Sequence, residues 1–166
     1  GEAVKPGYKG EGYGGPQRVE LIERALAAGV NFFDVTIDPE KEALGRNLRQ
    51  VSLPHDVYIQ TRPEGMAYGY DPGNRKMGDA GLLRAEVERC LNLLQRDTID
   101  ILNFPFLQSA LDGDPDYLSK ISDNISALKD ADLIRFASAD NFSGESTYLS
   151  QIESDIFDSI SINFRF

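Results

Sequence analysis

The sequence is poor in residues on which several classes of enzyme depend. Its 166 residues include one cysteine, one histidine and no tryptophan. A lone cysteine cannot form an internal disulfide, which fits a reducing compartment such as the cytoplasm. The histidine, His55, stands among polar residues before a predicted strand, where a solvated turn is expected. With this one histidine, no Ser-His-Asp or Cys-His arrangement can be built.

Long apolar runs and basic residues are also scarce. No run approaches the roughly 18 apolar residues that a membrane-spanning helix needs. Residues 1–6 show neither the basic start nor the apolar stretch of a secretory signal. The net charge of −10 disfavours nucleic acid and anionic membranes as partners, because their phosphates repel such a surface. We therefore expect a soluble cytoplasmic domain that binds a small molecule or another protein.

Helical and strand patterns alternate along one domain, residues 17–166, after a flexible glycine-rich arm at residues 1–16. Strands are predicted at 30–34, 57–62, 98–104, 133–138 and 157–164. Helices are predicted at 17–28, 39–48, 82–94, 114–129 and 143–153. Each crossover is long enough to join parallel neighbours, so the predicted class is α/β, with about five parallel strands alternating with helices.

The first predicted strand delivers a carboxylate at its C-terminal end. The helix before it stops at Gly29, and the apolar run Val30–Phe33 leads directly into Asp34. In α/β folds, chemistry is placed at the C-terminal ends of parallel strands. Asp34 is therefore the first candidate functional residue.

Four segments resemble the aldo-keto reductase family, in the family's order: 24–34, 42–48, 89–101 and 133–142. The first reads Arg-Ala-Leu-Ala-Ala-Gly-Val-Asn-Phe-Phe-Asp, and the third is a leucine-rich helix running into an Asp-x-Ile-Asp strand. The resemblance implies a partial (β/α) TIM-barrel-like domain that holds strands two to six of the eight-stranded barrel. Such a sheet has two open edges. The chain would be a fragment, pair with another chain that covers those edges, or be a reduced relative.

The resemblance also implies a reaction, and the sequence departs from it. The family transfers a hydride from a nicotinamide cofactor to a carbonyl, using a tyrosine, a lysine paired with an aspartate, and a histidine. Asp34 matches the aspartate, but Pro39 and Pro105 stand where the tyrosine and histidine are expected, and Arg62 replaces the lysine. The catalytic candidates are Asp34 and Arg62. We expect them to form an ion pair that either seals the barrel mouth or clamps an anion or carbonyl.

The cofactor implied by the resemblance is NADPH, and its contacts are only partly kept. The family holds the nicotinamide amide with a Ser-Asn pair and with a glutamine on the next strand. Asp140, Asn141 and Ser161 fall at these places, so that Asn141 alone is retained. These three are the cofactor-binding candidates, and normal binding is not expected from them.

Other motifs have simpler explanations. Residues 10–15 match Gly-x-Gly-x-x-Gly, but no strand precedes them, so a flexible loop is expected rather than a dinucleotide site. The carboxylates at 112–116 lack the glycine and glutamate of a calcium loop, so we expect helix capping by Asp114 and no metal. Cys90 shares a helix face with leucines and is expected in the core.

Two functions remain open. The first is an aldo-keto-reductase-like domain that has lost standard carbonyl reduction and acts as a binding or interaction module. The second is an atypical NAD(P)-dependent oxidoreductase, completed by missing strands or a partner. In this second case Tyr68 or Tyr70, in a glycine-rich loop after a strand, could replace the missing acid.

Overall fold

The computed structural model describes residues 16–66, 71, 73, 75–106, 108–141 and 145–161. Residues 1–15 of the predicted arm lie outside these ranges, as do Tyr68 and Tyr70. The remainder contains the predicted alternation of helices and strands.

Five strands and six α-helices follow one another along the described residues, with short 3₁₀-helices at Glu64–Met66 and Lys76–Gly78. The strands are β1 (Phe32–Val35), β2 (Tyr58–Thr61), β3 (Ile99–Phe106), β4 (Ile134–Asn141) and β5 (Ser159–Ser161). The helices are α1 (Pro16–Ala27), α2 (Asp38–Leu48), α3 (Ala80–Leu94), α4 (Gln108–Gly113), α5 (Tyr117–Asp130) and α6 (Glu145–Glu153).

The strands form one sheet in the order β1-β2-β3-β4-β5, and every neighbouring pair is parallel. Sequential strands are neighbours because each crossover carries a helix back to the start of the next strand. The sheet curls into part of a barrel, and the expectation of a partial (β/α) barrel of five parallel strands is confirmed.

The two faces of the sheet differ in what covers them. On one face, Leu102, Phe104 and Ala137 are at most 1% exposed, and they pack in one core with residues of α3 and α5. On the other face, Phe32 and Phe136 keep 46% and 52% of their surface exposed. In a closed barrel this second face would be the interior. We call it the inner face.

A glycine sets the distance between two of the covering helices. A Cβ atom on Gly45 in α2 would lie 2.5 Å from the carbonyl oxygen of Leu94 at the end of α3. No side chain fits there, so the two helices meet backbone to backbone at this point. The contact fixes α2 and α3 against the core and thereby positions the turns that follow β1 and β2.

Two expected boundaries are wrong, and the structure contains one additional helix. β3 does not stop at Pro105 but continues to Phe106, in register with β4. The helix expected from Asp114 begins at Tyr117, although the Asp114 carboxylate accepts a hydrogen bond from the Asp116 N–H, as a capping aspartate does. The short helix α4 was not expected from the sequence.

Among the described residues, no helix is long and apolar enough to cross a membrane.

Candidate functional site

The sequence candidates meet at the C-terminal edge of the sheet. Arg62 directly follows β2, Asp140 lies near the end of β4, and Ser161 ends β5 opposite Asp140. Asp34 lies near the end of β1, in register with Gln60 of β2. Because paired residues of neighbouring strands point to the same face, these positions share the inner face.

An ion pair between Arg62 and Asp140 crosses this edge. Nη2 of Arg62 lies 2.9 Å from Oδ2 of Asp140, and the two side chains keep only 14% and 9% of their surface exposed. The pair joins β2 to β4 and therefore reaches across β3, which lies between them. Breaking a buried pair of this kind leaves an uncompensated charge in a low-dielectric environment, which is strongly destabilising.

The expected ion pair between Asp34 and Arg62 is therefore wrong. Asp34 is exposed, and its Oδ1 accepts a hydrogen bond of 3.3 Å from Nε2 of Gln60. An exposed carboxylate is stabilised by water, whereas a buried one such as Asp140 needs a cation. The arginine accordingly lies with the buried partner two strands away rather than with the exposed partner on the neighbouring strand.

A polar residue that the sequence reasoning missed lies beneath this pair. Asn103, in the middle of β3, is 1% exposed, and its Oδ1 has no hydrogen-bond partner among the described residues. Its register partner is Ser138 of β4, also 1% exposed. A buried amide oxygen without a donor is costly, so Asn103 is an energetically unfavourable polar position in the sheet. The signal was available, since Asn103 interrupts an apolar strand.

The position of the family's tyrosine is occupied by a helix start. Pro39 lies in the first turn of α2, and its neighbour Asp38 pairs with Nζ of Lys41 at 3.1 Å and with Arg89. Lys41 is fully buried between the helices. The pair with Arg89 attaches the start of α2 to α3, so this corner supports the fold and presents no proton donor from Pro39.

The thiol and imidazole candidates take no part in the ion pair, although Sγ of Cys90 lies 3.9 Å from the carbonyl oxygen of Arg62. Cys90 is in the core, as expected; burial raises the pKa of its thiol to about 11, so it stays protonated and unreactive near neutral pH. His55 lies at the opposite edge of the sheet, before β2. Its Nε2 lies 3.0 Å from the Leu26 carbonyl oxygen and its Nδ1 3.2 Å from that of Asp56.

The three cofactor candidates lie at or near the ends of β4 and β5, and two of them are not the residue types that the family uses. Asp140 is held by Arg62. The backbone of Asn141 ends β4, while its side chain lies outside what the structure describes. The carbonyl oxygen of Ser161 accepts a hydrogen bond from the Tyr148 hydroxyl at 3.3 Å. Their role towards a nicotinamide stays a prediction.

The comparisons with known proteins agree with the fold. No protein-family model matches the sequence, and no curated protein matches it either. Among solved structures, a glycerol dehydrogenase from Gluconobacter oxydans is similar to 89% of this chain, with 26% identity and a TM-score of 0.64. An aldo-keto reductase from Bacillus halodurans is similar over 90% of the chain at 17% identity, with a TM-score of 0.62. An aldose reductase from Giardia lamblia matches 87% at 15% identity, with a TM-score of 0.59.

This chain matches only a part of each of these three proteins. The chain covers 46%, 48% and 52% of their respective lengths. It therefore spans about half the length of the solved structures that it resembles. The resemblance seen in the sequence is thus confirmed at the level of structure: this chain has the fold of a partial aldo-keto reductase barrel.

Proposed function

We propose that this chain is an aldo-keto-reductase-like domain that has lost standard NADPH-dependent carbonyl reduction and acts as a binding or interaction module. One observation supports this most directly: Arg62, at the place of the family's lysine, pairs with Asp140 and not with Asp34. The cation of the resembled mechanism is thereby committed to a neighbouring carboxylate.

The chemistry explains why this pairing matters. Reduction of a carbonyl needs a proton donor at the oxygen, and a phenol with a pKa near 10 needs a nearby cation to donate at neutral pH. Here neither Pro39, at the tyrosine's place, nor Pro105, at the histidine's place, has a side-chain proton donor. Even a tyrosine delivered from elsewhere would find the Arg62 guanidinium neutralised by Asp140 at 2.9 Å.

The described residues do not fit the family's way of holding a nicotinamide. The family's serine can donate a hydrogen bond to the carboxamide oxygen, whereas an ionised carboxylate only accepts. The Asp140 carboxylate also accepts from Arg62. We therefore propose that NADPH binds weakly or not at all, and no step of a reaction is assigned to it.

A small polar ligand on the inner face suits the residues better. The Arg62–Asp140 pair brings charges of both signs to the C-terminal edge of the sheet, and its two side chains keep 14% and 9% of their surface exposed. Charged groups at this edge favour a ligand that carries polar groups over a purely apolar one.

We further propose that another chain segment covers the open sheet edges and the inner face. The exposed aromatic side chains of Phe32, Tyr58 and Phe136 lie on that face. Further βα units would bury them, whether they come from the same polypeptide or from a separate one. The net charge of −10 and the buried thiol of Cys90 fit a cytoplasmic setting without nucleic acid or membrane as partner.

The test combines binding with turnover. The purified chain is titrated with NADPH and NADH, and oxidation of NADPH is followed with a panel of aldehydes and ketones. We expect neither saturable binding nor turnover from a chain whose circular dichroism shows it folded. The variant Asp140→Ser restores the family's residue and releases Arg62, so it is the matched comparison. Reduction by the unmodified chain that Asp34→Asn abolishes would overturn the proposal.

The alternative is an atypical NAD(P)-dependent oxidoreductase completed by missing strands or a partner. It is favoured by Asp34, Arg62 and Asn141, which occupy the family's strand-end positions. In this case cofactor binding should appear when the chain is measured with the rest of its polypeptide or its partner. The double variant Tyr68→Phe/Tyr70→Phe would then remove turnover if either tyrosine is the acid.

A further inference from the structure

A second concave site lies at the N-terminal edge of the sheet, opposite the Arg62–Asp140 pair. It is a cleft of about 650 Å³ between the loop that precedes β2 and two arginines, Arg96 and Arg135. Arg96 follows α3, and Arg135 is the second residue of β4. Neither the resemblance nor the proposed function gives this cleft a role.

A buried carboxylate holds both guanidinium groups at the cleft. Asp100 is 2% exposed. Its Oδ1 lies 3.2 Å from Nη1 of Arg135, and its Oδ2 lies 3.4 Å from Nη2 of Arg96. Oδ2 also accepts a hydrogen bond of 2.9 Å from the Ile59 N–H. Asp100 is thus enclosed by three donors and is not free to repel an incoming anion at close range.

The arginines keep donors for a ligand. The side chain of Arg135 is 57% exposed and that of Arg96 is 32% exposed. Nε and Nη2 of Arg135, like Nε and Nη1 of Arg96, have no partner among the residues that the structure describes. Each guanidinium is therefore fixed at one end by Asp100 and open at the other, which is a pre-organised arrangement for a planar or tetrahedral anion.

The rest of the cleft is partly apolar. Leu53 and Tyr58 are 48% and 38% exposed, and both line the cleft with Pro54. An apolar or aromatic group would cover these side chains and remove their surface from water. The cleft also contains Asp56 on its exposed rim, whose charge opposes an anion but is screened by solvent.

We propose that this cleft binds a small organic anion, with its phosphate or carboxylate on Arg96 and Arg135 and an apolar or aromatic group against Leu53 and Tyr58. The site shares Tyr58 with the inner face, but its two arginines lie at the N-terminal edge of the sheet, away from the Arg62–Asp140 pair. If no anion binds in this cleft, the proposed loss of carbonyl reduction is unaffected. If that proposed loss is wrong, the proposal for the cleft is unaffected.

The test measures binding of phenyl phosphate and inorganic phosphate to the full chain by calorimetry or by chemical-shift titration. We expect saturable binding of phenyl phosphate, with inorganic phosphate weaker because it does not contact Tyr58. Arg135→Gln should weaken phenyl phosphate at least about tenfold, since it removes charged hydrogen bonds. Asp56→Asn should strengthen it, because it removes the opposing charge.

The control is Arg84→Gln, which removes an exposed arginine that pairs with Glu88 on α3, away from the cleft. It should leave binding unchanged. Arg135→Lys keeps the charge but not the planar fork, so its affinity should lie between the wild type and Arg135→Gln even if the Gln variant folds poorly. No saturable binding by the wild type, or equal weakening by Arg84→Gln and Arg135→Gln, would overturn the proposal.

Discussion

The two edges of the sheet both place an arginine beside a buried aspartate, but they differ in where the arginine lies. At the C-terminal edge, Arg62 is nearly as buried as Asp140, and the pair is closed. At the N-terminal edge, Arg96 and Arg135 share the buried Asp100 and extend into a cleft. The difference shows that the same residue types can seal one end of a sheet and leave donors available at the other.

Removal of the aspartate at the C-terminal edge is expected to cause the largest loss of stability. Asp140→Ala removes the buried carboxylate that pairs with Arg62, and we expect it to lower the free energy of unfolding by about 3–5 kcal/mol. Urea unfolding measures this loss. The matched control is Arg62→Met combined with Asp140→Leu, which removes both charges and should recover most of the stability. A double variant as unstable as the single one would contradict this account of the pair.

At the N-terminal edge, removal of Asp100 should lower the free energy of unfolding less than removal of Asp140 does. Asp100→Ala leaves the N–H of Ile59 without its acceptor, but water can solvate the exposed parts of Arg96 and Arg135. We expect a loss of about 1–3 kcal/mol, set mainly by the orphaned N–H. The same urea experiment measures it. A loss larger than that of Asp140→Ala would reverse the comparison between the edges.

Substitution of Asp158, a half-exposed aspartate, should cause an intermediate loss of stability that depends on pH. Burial alone would raise the pKa of Asp158, but hydrogen bonds from the Ala137 N–H and from Lys129 outweigh it and hold the pKa below its ordinary value. A lowered folded-state pKa means that the stabilisation is complete above the unfolded pKa near 4 and is lost as the pH falls through the folded value. Asp158→Asn should therefore be less stable than the wild type at pH 7.

The measurement is the midpoint of thermal unfolding between pH 2 and pH 7. The gap between the wild type and Asp158→Asn should narrow as the pH falls below about 4. Asp123→Asn, at an exposed position on α5, is the control and should follow the wild type throughout. A gap that stays constant down to pH 2 would show that the charge of Asp158 contributes nothing.

The smallest loss of stability is expected for substitution of Asp34, the first candidate functional residue in the sequence. Asp34 is exposed and accepts one hydrogen bond from Gln60. Asp34→Asn should change the free energy of unfolding by no more than about 0.5 kcal/mol, as is usual for surface substitutions. Gln60→Ala, which removes the other half of the same hydrogen bond, should match it. A loss above 2 kcal/mol would indicate that Asp34 has a buried cationic partner.

The order of helices and strands was predictable because apolar periodicity and turn residues are local signals. The predicted strand at Asp34 appears as β1, and the leucine-rich stretch before Asp100 forms α3. Pro105 misled the prediction, since proline is a frequent strand end but here lies within the ladder between β3 and β4.

The pairing of side chains was not predictable in the same way. Strand order suggests a partner for Arg62 on the neighbouring strand, but the relative burial of Asp34 and Asp140 decides the pairing, and burial depends on the whole fold. The unsatisfied oxygen of Asn103 likewise exists only once β3 and β4 are packed. Sequence therefore places the residues at the edge of the sheet, and tertiary burial decides which of them interact.

The most direct test of the central claim is calorimetric titration of the folded chain with NADPH and NADH. The commitment of Arg62 to Asp140 and the replacement of the nicotinamide contacts predict no saturable heat of binding with either cofactor. Binding in the micromolar range would contradict the claim. It would show that the cofactor cleft of the aldo-keto reductases is retained in this chain and would favour the atypical oxidoreductase.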